Sequence, residues 1–385
     1  MHNVIMKICH VITRLIVGGA QENTLLTCLG QHARGHDVTL VTGPPLGPEG
    51  QLLDDAYRGG YRVIVLDDLR REINLRRDWR SYCHLRRLLA DLQPDVMHSH
   101  SSKAGILARR AAKSVGGIKI VHSVHGLPFH PYQARCLNML YIALERSAAR
   151  YTDAIISVAD AMTQQALARG VGRAEQYTTV YSGMEVEPYL HRPAEADDFR
   201  AGLHLPAGAV LVTQVSRLAE LKGHEYILAA ARQIRDPRVH FCFVGDGHLR
   251  KQIEQEIQAF GLTSQFHLTG LLAPKLIPAV MHASDIVVHC SLREGLARAL
   301  PQAMLANKPV ISFDVDGARE VVNERTGVLL APKDVAGLSG AIEALASSTQ
   351  RRELLGQQGR DSVRQRFDWN YMVDEILKVY ERLRH

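Results

Sequence analysis

The sequence of 385 residues has no apolar run near the roughly 18 consecutive residues that a membrane-spanning helix needs. Its first residues, Met1 to Lys7, lack the basic flank, apolar segment and small-residue cleavage site of a secretory signal. Cysteine is sparse: six residues are scattered with no CxxC pair and no His/Cys spacing that suits zinc. These absences predict a cytoplasmic protein whose cysteines are small core residues or free thiols.

Aromatic residues make up only 6% of the chain, and no nucleic-acid reader motif is present. The formal net charge of +6 is compatible with phosphate-bearing ligands, a membrane surface or nucleic acid, and the low aromatic content disfavours the last of these. An apolar content of 46% is that of an ordinary globular protein. The length predicts two domains of about 150–200 residues each.

Short apolar runs alternate with segments of helical spacing along the chain, which is typical of βαβ units and of parallel sheets covered on both faces. Residues 186–206 interrupt the alternation with three prolines and an acidic group. We therefore predict an α/β protein made of two tandem Rossmann-like domains that face a central cleft. The predicted parts are a first domain at 1–185, a linker at 186–206, a second domain at 207–366 and a final helix within 367–385.

The elements of each predicted domain follow from the same patterns. The predicted strands are Val4–Thr13, Val38–Val41, Val63–Leu66, Val96–Met97, Ile118–Val124, Ala154–Val158, Thr178–Val180, Ala209–Val215, His240–Val244, Phe266–Leu268, Ile286–His289, Val310–Phe313 and Val328–Leu330. The predicted helices include Gln21–Gly35, Ile227–Ile234, Leu249–Phe260, Val335–Leu345 and Asp368–Arg384. The last has an apolar stripe of Tyr371, Met372, Ile376, Leu377 and Tyr380.

Open α/β sheets bind ligands at the carboxyl ends of their strands, so motifs at strand ends are the candidate site residues. Gly18 and Gly19 follow the first strand where a helix begins. Backbone N–H groups and the positive end of a helix favour an anion at such a turn. A tight strand-to-helix turn is the simpler interpretation, because neither GxGxxG nor a Walker lysine is present.

In the second domain, Arg217 and Lys222 flank one strand-to-helix loop. An arginine fork and a lysine point charge can together neutralise a diphosphate. The alternative is a solvated basic turn, since both residue types are usually exposed.

Histidines end two strands of the first domain. His125 stands beside Gly126 and is a candidate for proton transfer or hydrogen bonding near neutral pH. His98 and His100 are expected to end their strand and to be placed to touch an acceptor. No carboxylate partner at a metal-ligand spacing is evident for them, so we do not expect a metal site.

The segment from Arg293 to Met304 resembles the donor-sugar signature of retaining glycosyltransferases of family four, which have the GT-B fold. Glu294 and Gly295 match that signature, whereas Leu296, Ala297 and Gln302 replace its phenylalanine, second glycine and second glutamate. Arg217, Lys222 and the His125–Gly126 pair extend the resemblance over nearly the whole chain.

The resemblance implies transfer of a sugar from a nucleoside diphosphate sugar to a hydroxyl with retention of configuration, in cell-surface polysaccharide, lipopolysaccharide or glycolipid synthesis, with no metal ion. It implies that the final helix packs back on the first domain. The catalytic residues that it implies are His125, Glu294, Arg217 and Lys222. The donor-binding residues that it implies are Gly18, Gly19, Arg217, Lys222, Gly270, Leu271, Glu294, Leu296, Ala297 and Gln302.

The departures from the signature affect binding in different ways. Ala297 retains its N–H group, but its Cβ restricts a close backbone approach. Gln302 loses the charge with which the family's second glutamate holds the ribose hydroxyls, although its amide still accepts one hydrogen bond. We therefore expect rearranged nucleotide binding rather than loss of activity.

Arginines concentrate in the segment Leu69–Leu89, beside apolar residues. Such a segment is able to lie on the anionic inner face of the plasma membrane, but a packed helix with a solvated arginine face is the simpler interpretation. Arg109, Arg110 and Lys113 form a second candidate patch.

Three other functions are compatible with this fold class. A dinucleotide-dependent oxidoreductase is disfavoured because GxGxxG with a following acidic residue is missing. A non-catalytic sugar-nucleotide-binding partner of another transferase fits the altered Ala297 and Gln302 positions. A sugar-nucleotide epimerase on the same fold needs further acidic groups that the sequence does not place.

Overall fold

The structure is a computed structural model that describes residues 4–46 and 50–384. Two compact units divide it. Unit 1 comprises the described residues up to Met184 together with those from Phe367 onward, and unit 2 comprises Glu185–Arg366. No helix in the described ranges is long and apolar enough to cross a membrane.

Strands and helices alternate through most of both units. The strands are β1 Lys7–Ile12, β2 Asp37–Thr42, β3 Arg62–Val65, β4 Val96–His100, β5 Lys119–Val124, β6 Ala154–Ser157, β7 Tyr177–Thr179, β8 Val210–Val215, β9 Val239–Val244, β10 Phe266–Gly270, β11 Ile286–His289, β12 Val310–Phe313 and β13 Gly327–Leu330. The helices are α1 Gly19–Ala33, α2 Leu53–Arg58, α3 Leu75–Leu92, α4 Ser102–Val115, α5 Arg135–Ala149, α6 Asp160–Ala168, α7 Glu187–Leu190, α8 Glu195–Gly202, α9 His224–Ala231, α10 Arg250–Ala259, α11 Ile277–Ala283, α12 Ala299–Leu305, α13 Val335–Ala346, α14 Thr349–Val363 and α15 Trp369–Arg384. Short 3₁₀ helices lie at Ala174–Gln176, Pro274–Leu276 and Asp316–Glu320.

Unit 1 is a parallel sheet of order β3-β2-β1-β4-β5-β6-β7. Its central strands are buried along almost their whole length, because helices cover both faces and the strands are rich in valine and isoleucine. The strand order reverses between β1 and β4. In open α/β sheets, this switch point is where the loops after the strands separate and leave room for a ligand.

Helix α15 returns to unit 1 and packs against α1. Five of its apolar side chains are almost fully buried there: Met372, Val373, Ile376, Val379 and Tyr380. Each such burial stabilises the fold by about 1.5–3 kcal/mol before the entropy cost of ordering the helix is subtracted. Tyr371, which the sequence assigns to this stripe, is instead 40% exposed, because it lies on the solvent side of the helix.

Unit 2 repeats the architecture with a parallel sheet of order β10-β9-β8-β11-β12-β13. Its order reverses between β8 and β11, so the loops after these two strands border the switch point. Together the sheets confirm the predicted α/β class with two Rossmann-like units.

Residues 186–206 do not form the predicted linker. They contain α7 and α8 and belong to unit 2. Ala196 of α8 is fully buried with Ala279 and Ala283 of α11, and the Arg200 side chain donates to the Ala283 carbonyl at 2.7 Å and to Asp285 at 3.0 Å. Pro188 is tolerated in the first turn of α7, where no intrahelical N–H bond is lost.

The arginine-rich segment also differs from its prediction. Helix α3 begins only at Leu75, because the Asn74 side chain caps it by accepting a hydrogen bond from the Arg77 N–H at 3.0 Å. Leu69 lies before the helix and is fully buried. Arg109 is no surface residue: it is fully buried, and its guanidinium donates to the Glu145 carboxylate of α5 at 2.6 Å.

Candidate active site

The loops after β8 and β11 of unit 2 approach each other closely at Gly223. The Leu292 N–H donates to the Leu221 carbonyl at 2.8 Å. A Cβ atom on Gly223 would lie 2.0 Å from the Cys290 carbonyl oxygen, and the residue has a φ of +77°. Only glycine fits this contact without moving one of the loops.

This contact places Lys222 beside Glu294. The Lys222 ammonium donates to the Glu294 Oε1 atom, and both side chains are about one-fifth exposed. Partial burial would raise the pKa of the Glu294 carboxyl, but the charge of Lys222 and the adjacent His289 outweigh it and hold that pKa well below its usual range. Glu294 is therefore a fixed negative charge at neutral pH.

Two residues that the sequence analysis did not select complete this arrangement. The Asp316 carboxylate accepts a hydrogen bond from the Glu294 backbone N–H at 2.7 Å, and Asp316 has a strained φ of +51°. His289, at the end of β11, is buried with its Nε2 atom 3.3 Å from Glu294 Oε1. Among the described residues, neither ring nitrogen of His289 makes a hydrogen bond of good geometry.

The other predicted donor residues of unit 2 lie on neighbouring loops. Leu296 and Ala297 are buried, each 7% exposed, just before α12, and Gln302 lies half-buried within that helix. Gly270 ends β10 with a φ of +72° and is followed by the exposed Leu271. Arg217 is exposed on the same β8 loop as Lys222.

In unit 1, Gly18 and Gly19 form the start of α1 directly after the β1 loop. Gly18 has an extended backbone, and its carbonyl accepts a hydrogen bond from the Glu22 N–H at 3.0 Å. The helical hydrogen bonds of α1 therefore begin at Gly18. The turn presents the helix N-terminus on the β1 side of the switch point, which is where an anion is stabilised.

His125 lies just after β5, and its Nε2 atom is 3.1 Å from the Nδ1 atom of His100. It lines a mostly apolar pocket of unit 1 together with Ser101, Ser123 and the turn from Gly126 to Phe129.

His98 and His100 cannot touch an acceptor as predicted, because both are fully buried. Strand β4 continues through His100 by pairing with β5, and because His98 and His100 are two positions apart their side chains lie in the layer on one face of the sheet, with ring centroids 4.2 Å apart.

A group of histidines, His10, His98 and His100, is the one set in the described ranges whose nitrogens lie close enough together to hold a metal ion. Every ring nitrogen of the three already has a hydrogen-bond partner in the protein. The group is thus satisfied by protein atoms alone.

Comparison with known proteins extends over both units. The model of the glycosyl transferases of group 1 matches residues 195–362, and that of the glycosyl transferase 4-like domain matches residues 18–183. An Escherichia coli UDP-Gal:alpha-D-GlcNAc-diphosphoundecaprenol alpha-1,3-galactosyltransferase is 28% identical over 97% of this chain and 96% of its own length. A Streptomyces fradiae 2-deoxystreptamine N-acetyl-D-glucosaminyltransferase is 29% identical over 90% and 89%.

A solved structure of Anabaena HepE in complex with UDP-glucose has the same fold. It matches with a TM-score of 0.83 and 23% identity over 98% of this chain and 100% of that chain. A structure of WaaG, a glycosyltransferase involved in lipopolysaccharide biosynthesis, matches with a TM-score of 0.76 and 16% identity over 97% and 99%. The resemblance of the sequence to the GT-B enzymes is confirmed.

Proposed function

Because this chain belongs to the family-four glycosyltransferases of the GT-B fold, we propose that it transfers a hexose from a nucleoside diphosphate sugar to a hydroxyl of a lipid-linked saccharide, with retention. UDP is the first candidate nucleotide, since the E. coli relative uses UDP-Gal and HepE binds UDP-glucose. The product would enter cell-surface polysaccharide, lipopolysaccharide or glycolipid synthesis.

The observation that carries this proposal is the Lys222–Glu294 pair at the switch point of unit 2. A lysine ammonium has three N–H donors, and Glu294 occupies one of them. The others can stabilise the charge that builds on the diphosphate as the sugar leaves. Arg217, on the same loop, would add a forked donor, and this positive charge would make a metal ion unnecessary.

The remaining groups would hold the donor. Glu294, fixed as a carboxylate, would accept hydrogen bonds from hydroxyls of the transferred sugar. The backbone N–H groups of Leu296 and Ala297 would bind the sugar or phosphate, and those of Gly270 and Leu271 the base. Gln302 would accept one hydrogen bond from the ribose where the family has a charged glutamate. Its side chain makes no hydrogen bond to other described residues, so it is available for this contact.

Unit 1 would bind the acceptor beside His125. The turn at Gly18 and Gly19 would offer backbone donors to an anionic group, and His125 would take part at the reacting centre. The apolar residues Leu127, Pro128 and Phe129 of its pocket would pack against a ring face of the acceptor saccharide.

Unit 1 would also rest on an anionic membrane surface. At the start of α3, Ile73, Leu75 and Trp79 are 67%, 84% and 66% exposed. Exposed arginines surround them: Arg71, Arg76, Arg80, Arg86 and Arg87. Helix α5 turns a second apolar stripe outward, with Met139, Leu140 and Leu144 exposed. Arginine charge with exposed apolar side chains is the combination that binds anionic lipid.

The test is a transfer assay with purified full-length protein and a polyprenyl diphosphate-linked N-acetylhexosamine as acceptor. UDP-, GDP-, ADP- and TDP-hexoses are offered in turn, and the anomeric configuration of the product is read by NMR. We expect one donor to give an α-linked product from an α-linked donor. Inversion, or release of free sugar without transfer, would contradict the proposal.

The variant Glu294→Gln tests in the same assay whether Glu294 belongs to the donor site. It keeps the shape of the side chain but removes the charge that faces Lys222, and we expect kcat/KM to fall on the order of 100-fold, as for other groups that stabilise a transition state. The matched control is Glu254→Gln, an exposed residue of α10. Equal turnover by both variants would place the donor site elsewhere.

A further inference from the structure

A chain of buried side chains connects helix α1 to His125 across the sheet of unit 1. The Gln31 amide oxygen lies 2.7 Å from His10 Nε2, and His10 Nδ1 lies 2.9 Å from His100 Nε2. His100 Nδ1 lies 3.1 Å from His125 Nε2. Gln31, His10 and His100 are fully buried, so water does not compete for these contacts.

The chemistry of the amide sets the direction of this chain. An amide oxygen only accepts hydrogen bonds, so His10 must donate from Nε2. A neutral imidazole has one donor nitrogen and one acceptor, so His10 accepts at Nδ1 and His100 must donate from Nε2. By the same step His100 accepts at Nδ1, and His125 is the donor at the end of the chain.

The inner rings of this chain are neutral. Burial lowers the pKa of His10 to about 4, with the hydrogen bond to Gln31 opposing the shift. Burial, together with the neighbouring histidines, holds the pKa of His100 well below its usual range. Each ring therefore carries a single N–H proton at neutral pH.

A second branch holds Gln31 in place. Its amide nitrogen donates to the Tyr380 hydroxyl at 3.3 Å, and that hydroxyl oxygen lies 2.5 Å from His98 Nδ1. His98 Nε2 lies 2.8 Å from the Ser123 hydroxyl oxygen. Helix α15 thus contributes to the orientation of the amide from which the histidine chain starts.

We propose that Gln31, His10 and His100 are positioning residues that hold neutral His125 in the Nε2–H tautomer and so make Nδ1 its acceptor atom. The inference rests on the proposed function, in which His125 lines the reacting centre. Its consequence is that Nδ1 of the neutral His125 ring accepts, rather than donates, in any hydrogen bond that it makes with a substrate hydroxyl. Reversal of the chain would present an N–H donor at the same point and remove that contact.

The direct test is a long-range ¹H–¹⁵N NMR spectrum of the full-length protein labelled with ¹⁵N-histidine, recorded without substrate near pH 8. The ¹⁵N shift separates protonated from unprotonated ring nitrogens, and His125→Ala identifies the His125 signals. We expect protonated Nε2 and unprotonated Nδ1. The opposite tautomer in the wild-type protein would overturn the proposal without any further variant.

The variant Gln31→Leu removes the acceptor that starts the chain. We expect His125 to become a mixture of tautomers and kcat to fall with little change in the KM for the donor. His122 is the internal control, because its Nδ1 contacts Ser99 at 2.9 Å and is outside this chain. An unchanged His125 tautomer in Gln31→Leu, or a stoichiometric metal ion in the purified protein, would overturn the proposal.

The NMR spectrum and the transfer assay distinguish failure of the proposed function from failure of the proposed role of the histidine chain. The NMR spectrum needs no substrate, so the expected tautomer in a protein without transfer activity would contradict only the proposed function. Normal transfer with the Nδ1–H tautomer would contradict only the role of the histidine chain.

Discussion

Lys222 and Glu294 are 72 positions apart in the chain, and Gly223 is the residue that allows them to meet. Leu221, directly before Lys222, has a φ of +64°, which is unfavourable for a residue with a side chain as large as leucine. Strained backbone at Leu221 and at Asp316 is thus concentrated around one ion pair. The surrounding sheet holds both residues in these conformations, and the charge pair therefore has a defined geometry before any ligand binds.

At the residue scale, we predict that Gly223→Ala destabilises unit 2 and impairs donor binding together. The new Cβ would lie 2.0 Å from the Cys290 carbonyl oxygen, so the two loops must separate and draw Lys222 away from Glu294. The change is measured as the urea midpoint of unfolding and as the affinity for the donor.

Gly261→Ala is the matched control for that variant. Gly261 has a similar φ of +69°, and a Cβ there would meet nothing within 4 Å. It should lose only the about 1–2 kcal/mol of an unfavourable left-handed residue, whereas Gly223→Ala should lose about 1–3 kcal/mol more through the clash. Equal losses in the two variants would show that the loop contact at Gly223 is not tight.

The sequence predicts candidate site residues where they belong to a motif. It does not predict residues that are defined only by their neighbours in the folded structure. Lys222 and Glu294 were selected because each belongs to a local pattern after a strand. His289 and Asp316 belong to no such pattern, and their importance arises from atoms that the fold brings near Glu294. His98 and His100 were placed at a strand end because the apolar run stops at Met97, although backbone pairing continues to His100.

At the scale of elements, α3 and α5 share a structural feature that the other helices of unit 1 show less strongly. Both pack against α4, and both leave large apolar side chains exposed. Helix α3 still has a core side, with Ser81, Leu85 and Leu89 buried, as the hypothesis of a packed helix expects, whereas contact with lipid stays a proposal. The exposed apolar group and the arginines are therefore additional to what packing requires.

We predict that the double variant Leu75→Ser, Trp79→Ser reduces partitioning onto vesicles containing anionic lipid by on the order of ten-fold, since both side chains lose apolar contact with the bilayer. Sedimentation with vesicles measures the effect. Leu354→Ser, at a 56% exposed apolar residue of unit 2, is the control and should partition like the wild type. Equal binding by the double variant, or equal binding of the wild type to purely zwitterionic vesicles, would contradict the membrane proposal.

Whether a segment forms a helix or a strand was predictable, because hydrophobic periodicity indicates it. The first and last residues of the elements, and some of the solvent-facing positions, were not. The first strand is shorter than its apolar pattern, since Val4 and Ile5 precede β1 and are 56% and 70% exposed. The prolines of 186–206 indicated a linker, but a proline in a first helical turn is compatible with α7. Packing of α8 on α11 depends on small residues that carry no periodic signal.

At the scale of the molecule, both units bury neutral histidines in their cores. Burial lowers the pKa of His10, His224 and His282 to about 4 and that of His98, His100 and His122 well below the usual range. An unfolded chain binds protons at these positions below about pH 6.5, whereas in the folded chain His10, His224 and His282 do so only at a pKa of about 4 and the other three only well below the usual range. Acidification through that window therefore favours unfolding.

We predict that the free energy of unfolding falls as the pH is lowered from 7.5 to 5. Each such histidine contributes a slope that approaches about 1.4 kcal/mol per pH unit well below pH 6.5. Urea unfolding at several pH values measures the slope. His282→Gln should reduce it and His248→Gln, at an exposed position, should not. A stability that is independent of pH across this window would mean that the buried histidines are charged in the folded state.

We propose that unit 2 holds the diphosphate of a sugar nucleotide with Lys222. Thermal unfolding of the wild type, Lys222→Ala and the exposed-residue control Lys251→Ala in the presence of UDP-, GDP-, ADP- and TDP-hexoses measures this binding. A ligand at 100 times its dissociation constant stabilises the folded state by about 2.7 kcal/mol. We expect one nucleotide sugar to raise the unfolding temperature of the wild type and of Lys251→Ala and to lose most of that effect with Lys222→Ala. An equal shift in all three proteins, or no shift with any nucleotide sugar, would contradict the account.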